Sequence, residues 1–153
     1  MKTLVLMLIS VLAGFAQRAL GCPAEFGEQQ CYPAVTAASD LRSYQYRIVR
    51  FSAAQTCNVA SNAVSAAGAQ LPAGVLQNNP NSGEAASIAY AGLSKVWAGA
   101  TTTARAVLTT NGSGQAIDAV SGDIVVGRFL EAGASDDRVS ALLAFPVRWG
   151  SVA

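Results

Sequence analysis

Residues 104–130 read ARAVLTTNGSGQAIDAVSGDIVVGRFL, and the fold is decided there. Ala104 to Thr110 is rich in β-branched side chains, which pack well on a pleated surface. Asn111-Gly112-Ser113-Gly114 is a hairpin-grade turn, because Asn and Gly accept the positive φ angles of a tight reversal. Gln115 to Val120 returns, Ser121-Gly122-Asp123 turns again, and Ile124 to Leu130 leads out. Short apolar runs separated by turn chemistry mark an all-β protein, a small β-barrel or sandwich of short antiparallel strands.

The same texture extends in both directions. Downstream, Gly133 to Asp137 forms a loop and Arg138 to Phe145 alternates, with Val139, Ala141, Leu143 and Phe145 on one face. Pro146 is expected to end regular pairing. Upstream, Leu71 to Gln77 is a strand closed by the turn cluster Asn78 to Gly83. Ala85 to Ala91 and Leu93 to Trp97 are strands divided by Gly92, and Ala98 to Thr103 is a tight connection. Cys57 to Ala60 is a short strand followed by a loop. In Ser43 to Phe51, Tyr44, Tyr46 and Ile48 alternate with Ser43, Gln45 and Arg47, as a half-buried strand requires. Two hairpins share a layout: Gly74-Val75-Leu76 with Ala86-Ser87-Ile88-Ala89, and Gly127-Arg128-Phe129-Leu130 with Val139-Ser140-Ala141-Leu142. Either an internal repeat or chance similarity between Ala-rich strands produces this.

The chain of 153 residues fits one domain with an appendage. The division falls at an N-terminal helical or extended arm, residues 1–42, and a β domain, residues 43–153. Residues 1–21 follow a secretory-signal pattern, with Lys2, an apolar run from Leu4 to Ala16, and small residues before Cys22. Arg18 fits that pattern poorly, a lipoprotein signal would prefer Leu to Ala19, and the run is short for a membrane-spanning helix. A cleaved signal, a retained docking helix and an extended upstream start all remain open. Membrane contact is expected only if residues 1–21 act as signal or anchor. Pro23 to Asp40 reads as an irregular linker, broken by Pro23, Gly27 and Pro33.

Composition excludes several classes of function. A net charge of +1 gives no electrostatic footprint for nucleic acid, and Arg42, Arg47 and Arg50 are the only close-set basic residues. Histidine is absent, which removes the commonest general base and the commonest metal ligand. Cys22, Cys31 and Cys57 show no zinc spacing and leave an odd thiol; a Cys22–Cys31 bridge and free thiols are both open. No nucleophile elbow, phosphate loop or dinucleotide fingerprint occurs. Asp123, Glu131, Asp136 and Asp137 lack the ligand intervals of a calcium loop and read as turn residues. No catalytic residue, metal or cofactor is therefore expected.

Charged residues are only 12% of the chain, so much of the surface is neutral and suited to cover by partners. Aromatic and arginine side chains concentrate at protein contacts. Tyr44, Tyr46, Arg47, Trp97, Arg148 and Trp149 are the contact candidates, with core packing the alternative for Trp97 and the Tyr44 strand.

Ala73 to Leu143 resembles a family of small capsid decoration (cement) proteins of tailed bacteriophages. Ala73-Gly74-Val75-Leu76, Gly83 to Ala89, Gly92-Leu93-Ser94-Lys95-Val96, Ala98-Gly99-Ala100, Ala119 to Ala132 and Val139 to Leu143 carry the resemblance in order and spacing. It implies a β-barrel on the capsid exterior that binds the major capsid protein, reinforces contacts between its subunits and self-associates, as a trimer or another small oligomer. It brings no catalytic residues. The alternative is a secreted, periplasmic or lipid-anchored β-domain binding module, motivated by residues 1–22; a hydrolase rests only on scattered carboxylates and serines.

Overall fold

The computed structural model describes residues 29–60 and 71–148, and the described part is all-β. Nine strands follow in chain order: β1 (Gln30–Ala37), β2 (Ile48–Ala53), β3 (Thr56–Val59), β4 (Pro72–Leu76), β5 (Ala85–Trp97), β6 (Val107–Thr110), β7 (Ala116–Asp118), β8 (Ile124–Phe129) and β9 (Arg138–Arg148). They pair in the order β1-β3-β2-β4-β5-β9-β8-β6-β7, and β1 pairs again with β5. That second pairing closes β1-β3-β2-β4-β5 into a five-stranded barrel. Every contact in it is antiparallel except β1 with β3, which is parallel at Thr36–Thr56 and Ala37–Cys57. The barrel is therefore mixed rather than wholly antiparallel.

A second barrel repeats the first. Its strands are the second half of β5, then β6, β7, β8 and β9, and each pairs as its counterpart does. The parallel contact reappears as a single bridge between Ala98 and Ala116, closing the ring. Many backbone hydrogen bonds have counterparts in the other barrel. The Ala37 N–H donates to the Glu84 carbonyl and the Ala98 N–H to that of Asp137; the Tyr46 N–H donates to Leu76 O and the Arg105 N–H to Phe129 O. Tyr46 and Arg105 have φ of 63° and 70°, Gln55 and Gly114 58° and 73°, Gly83 and Asp136 80° and 65°. A Cβ on Gly74 would run into the Ala89 carbonyl, and one on Gly127 into that of Leu142. The hairpins whose shared layout was visible in the sequence, at Gly74 and Gly127, occupy equivalent places.

The cores correspond as well. The first barrel is filled by Val35, Ala37, Leu41, Val49, Cys57, Leu76, Ala86 and Ile88. Their counterparts are Val96, Ala98, Thr102, Leu108, Ala116, Phe129, Val139 and Ala141, all buried. The second core continues onto the outside of the first barrel through Ile48, Ala60, Val75 and Ala89. β5 belongs to both barrels: Ala85 to Ala91 faces β4 and β1, and Ala91 to Trp97 faces β9.

Several sequence expectations change. β1 forms at Gln30–Ala37, inside the stretch read as an irregular linker and within the residues assigned to the arm. Its pairing with β5 absorbs Pro33 and Ala34 (φ 55°) in a register shift between Tyr32 and Val35. Leu41–Tyr44 and Tyr44–Arg47 are two successive turns rather than strand, and Tyr46 takes a left-handed conformation that breaks the alternation. Gly92 does not divide two strands; at φ 93° it lets one strand pass between barrels. Pro146 does not end pairing, since Val147 and Arg148 still meet Val125 and Ile124 beyond a register shift. Residues 1–28, with the apolar run and Cys22, and Trp149 lie outside the described residues.

Candidate functional site

Four of the expected contact residues come together where the barrels join. The Trp97 backbone N–H donates to Tyr46 O at 3.1 Å, and its indole Nε1 donates to Gln45 O at 2.9 Å. The Arg47 guanidinium lies 5.3 Å from the Tyr44 ring centroid and donates from Nη1 to Ser113 O at 3.0 Å. Arg138 lies 5.3 Å over the Trp97 ring. Trp97 is half-buried, and it fastens the 44–47 turn to the second barrel. Arg42 pairs with Asp40 at 2.6 Å in a neighbouring turn, and Arg50 is half-buried on β2. Arg148 ends β9, its side chain outside the described residues together with Trp149.

An open groove of about 430 Å³ runs beside this junction, lined by Tyr46, Gln77, Leu93, Ser94, Lys95, Leu130 and Ser140, with Gln29 at one side. Gln29 Nε2 donates to Leu93 O at 3.2 Å, and Gln77 Nε2 donates to the buried Ser94 hydroxyl at 2.9 Å. Lys95 meets Glu131 at 3.2 Å and donates to the Ser140 hydroxyl at 2.8 Å. Hydrogen bonds from Ser140, then the Lys95 ammonium, hold the Glu131 carboxyl below its ordinary range. The groove wall is mostly apolar, with its polar groups paired among themselves.

The groove opens onto the outer face of the second barrel, which the sequence reading did not single out. A cross-strand row runs Val107–Arg128–Leu142–Leu93 through the register of β6, β8, β9 and β5, and the Ala119 N–H donates to Val107 O at its end. Leu142 is 46% exposed, Leu130 47% and Val120 69%. One signal was available. Val139, Ala141 and Leu143 fill the inward positions of β9, so Leu142 stands as a large apolar residue on the outward parity.

The acidic residues serve turns. The carboxylates of Asp123, Asp137 and Glu131 accept the backbone N–H of Val120, Ala134 and Ser140 at 2.9, 2.8 and 2.6 Å. Asp136 accepts from the Gln115 amide at 2.8 Å. Among the described residues no group of three His, Cys, Asp or Glu side chains gathers as a metal site, and no helix is long and apolar enough to cross a membrane. Cys31 is exposed on β1, and burial pushes the Cys57 thiol up.

No protein-family model and no curated protein matches the chain. Among solved structures, the fold is similar to the crystal structure of the head fiber gp8.5 N base of bacteriophage phi29. The TM-score is 0.57 at 17% sequence identity, over 76% of this chain and 95% of that one.

Proposed function

We propose that this chain is a structural protein of a bacteriophage virion, attached to the capsid exterior by binding the major capsid protein, where it reinforces contacts between capsid subunits. The observation that carries the reading is the likeness of fold, which takes in 95% of a phage head-fiber base. The ordered sequence resemblance to decoration proteins points the same way. A neutral, weakly charged surface with an exposed apolar face suits a protein that works while bound to another. Self-association, as a trimer, belongs to the same reading. So do the expected contact residues, with Tyr46 presented from the groove wall and Trp97 setting the junction.

Co-sedimentation with intact, undecorated capsids tests this: the protein is expected in the capsid pellet at saturable stoichiometry. Protein left in the supernatant would overturn the reading. The secreted or anchored binding module rests on residues 1–22 and is separated by the intact mass of the protein from its native source. A chain that begins at Cys22 would favour export over virion assembly.

A further inference from the structure

We infer that the outer face of the second barrel, the row Val107–Arg128–Leu142–Leu93 with Leu130 beside it, is the docking surface, and that its occupant is an apolar patch of the capsid subunit carrying a carboxylate opposite Arg128. The inference rests on the capsid-binding reading above. Its first support is the repeat. The positions equivalent to Val107, Arg128 and Leu142 on the first barrel, Ile48, Val75 and Ala89, are buried, because the second barrel packs on them, while Cys31, the counterpart of Leu93, is exposed at the end of the row. The same position on the second barrel is left open, with Leu142 where the first has Ala89 and Leu130 where it has Gln77. Three of the five large exposed apolar residues among the described ones, Val120, Leu130 and Leu142, lie on or beside this face.

The second support is charge. Arg128 replaces Val75 in the row, stands exposed among apolar neighbours, and takes part in neither ion pair found among the described residues. An apolar partner must supply an acid there, since a buried guanidinium without one is strongly disfavoured.

A second copy of the chain does not fit. The contact that covers the first barrel depends on the Asn111–Gln115 turn, where Gly114 O accepts the Ile48 N–H at 2.7 Å. A Cβ at Gly114 would stand 2.7 Å from Ile48 O and 2.8 Å from Val59 Cγ1. The corresponding free turn on the first barrel carries Gln55, so it cannot repeat that contact head to tail. Face-to-face pairing of two copies would bring Arg128 of each onto one apolar surface, where the nearby acid, Glu131, is already engaged by Lys95 and Ser140.

The test compares wild type, Arg128→Glu, Leu142→Asn and a control on the opposite end, Gln55→Glu, in capsid co-sedimentation, with thermal unfolding and size-exclusion profiles for each. Arg128→Glu and Leu142→Asn are expected to lose at least about tenfold in capsid affinity with unfolding midpoint and oligomeric state unchanged, while Gln55→Glu binds as wild type. Hydroxyl-radical footprinting of the wild type, which needs no variant to fold, is expected to show Leu130 and Leu142 protected on capsids. If wild type binds and the face variants bind equally, with both leucines still labelled, the surface assignment is overturned while capsid binding stands. A change of oligomeric state in Leu142→Asn would assign the face to self-contact and overturn the proposed occupant. Failure of the wild type to bind sinks the functional reading itself.

Discussion

Gly114 shows how much of this molecule turns on single backbone positions. It combines a φ of 73° with contact to Ile48 and Val59 of the other barrel, so alanine there meets both left-handed strain and a steric clash. Gly114→Ala is expected to cost about 1–3 kcal/mol, read as a lowered denaturant midpoint at unchanged m-value. The turn was legible, since Asn111-Gly112-Ser113-Gly114 advertises a reversal. Tyr46 was not, because its left-handed φ of 63° is imposed by tertiary hydrogen bonds to Leu76 and Trp97, and no glycine or asparagine marks it. Asp40 shows a local electrostatic effect. Its side-chain hydrogen bonds with Arg42 lower its pKa from 3.8 to about 2. The folded-state value lies below the unfolded one, so the stabilisation is present above about pH 4 and is lost as pH falls toward 2. Both groups are solvent-exposed, which keeps the effect on stability small. Arg42→Gln is expected to raise the Asp40 titration toward the ordinary carboxylate range, with the backbone N–H of residue 42 still lowering it, as carboxyl NMR would record.

Elements were legible where they are local and hidden where they depend on distant partners. β4, β6, β7 and β8 each lie within a run whose alternation or turn boundaries announce it, as does β9 up to Phe145. β1 was missed because Pro33 and its neighbours read as a breaker, whereas pairing with β5 on one side and β3 on the other holds the segment extended across a bulge. The groove and the Arg128 row were missed for a related reason. The groove combines turn and loop residues with β5 and β9, and the row comes from four strands, where only the register sets Leu93, Leu142, Arg128 and Val107 in line. The inward faces were readable: Val139, Ala141 and Leu143 are buried as their alternation requires. Phe129 is the largest side chain fully inside the second barrel, and Phe129→Ala is expected to cost about 3–5 kcal/mol by calorimetry or denaturant titration.

At the scale of the whole molecule, the all-β class followed from the run-and-turn texture, but two barrels sharing a strand did not. The repeat shows only where glycines and turns coincide, while the interior side chains differ in identity, as with Leu76 and Phe129 or Cys57 and Ala116. One core cluster spans both units through Ile48, Val75 and Ala89, so the barrels are expected to unfold together. Phe129→Ala should therefore lower a single transition seen alike by far-UV circular dichroism and, in a Trp149→Phe background, by the fluorescence of Trp97, which reports the junction. Two separated transitions would show that the barrels are independent units.

β5 also has a mechanical meaning. A force applied to the second barrel reaches the first along one unbroken backbone, and the ladders of β5 with β1, β4 and β9 oppose it in shear, many hydrogen bonds at once. Two barrels joined by a loop would instead peel apart at their contact, side chain by side chain. In the capsid-bound role proposed above, the continuous strand would make this chain a tie rather than a patch.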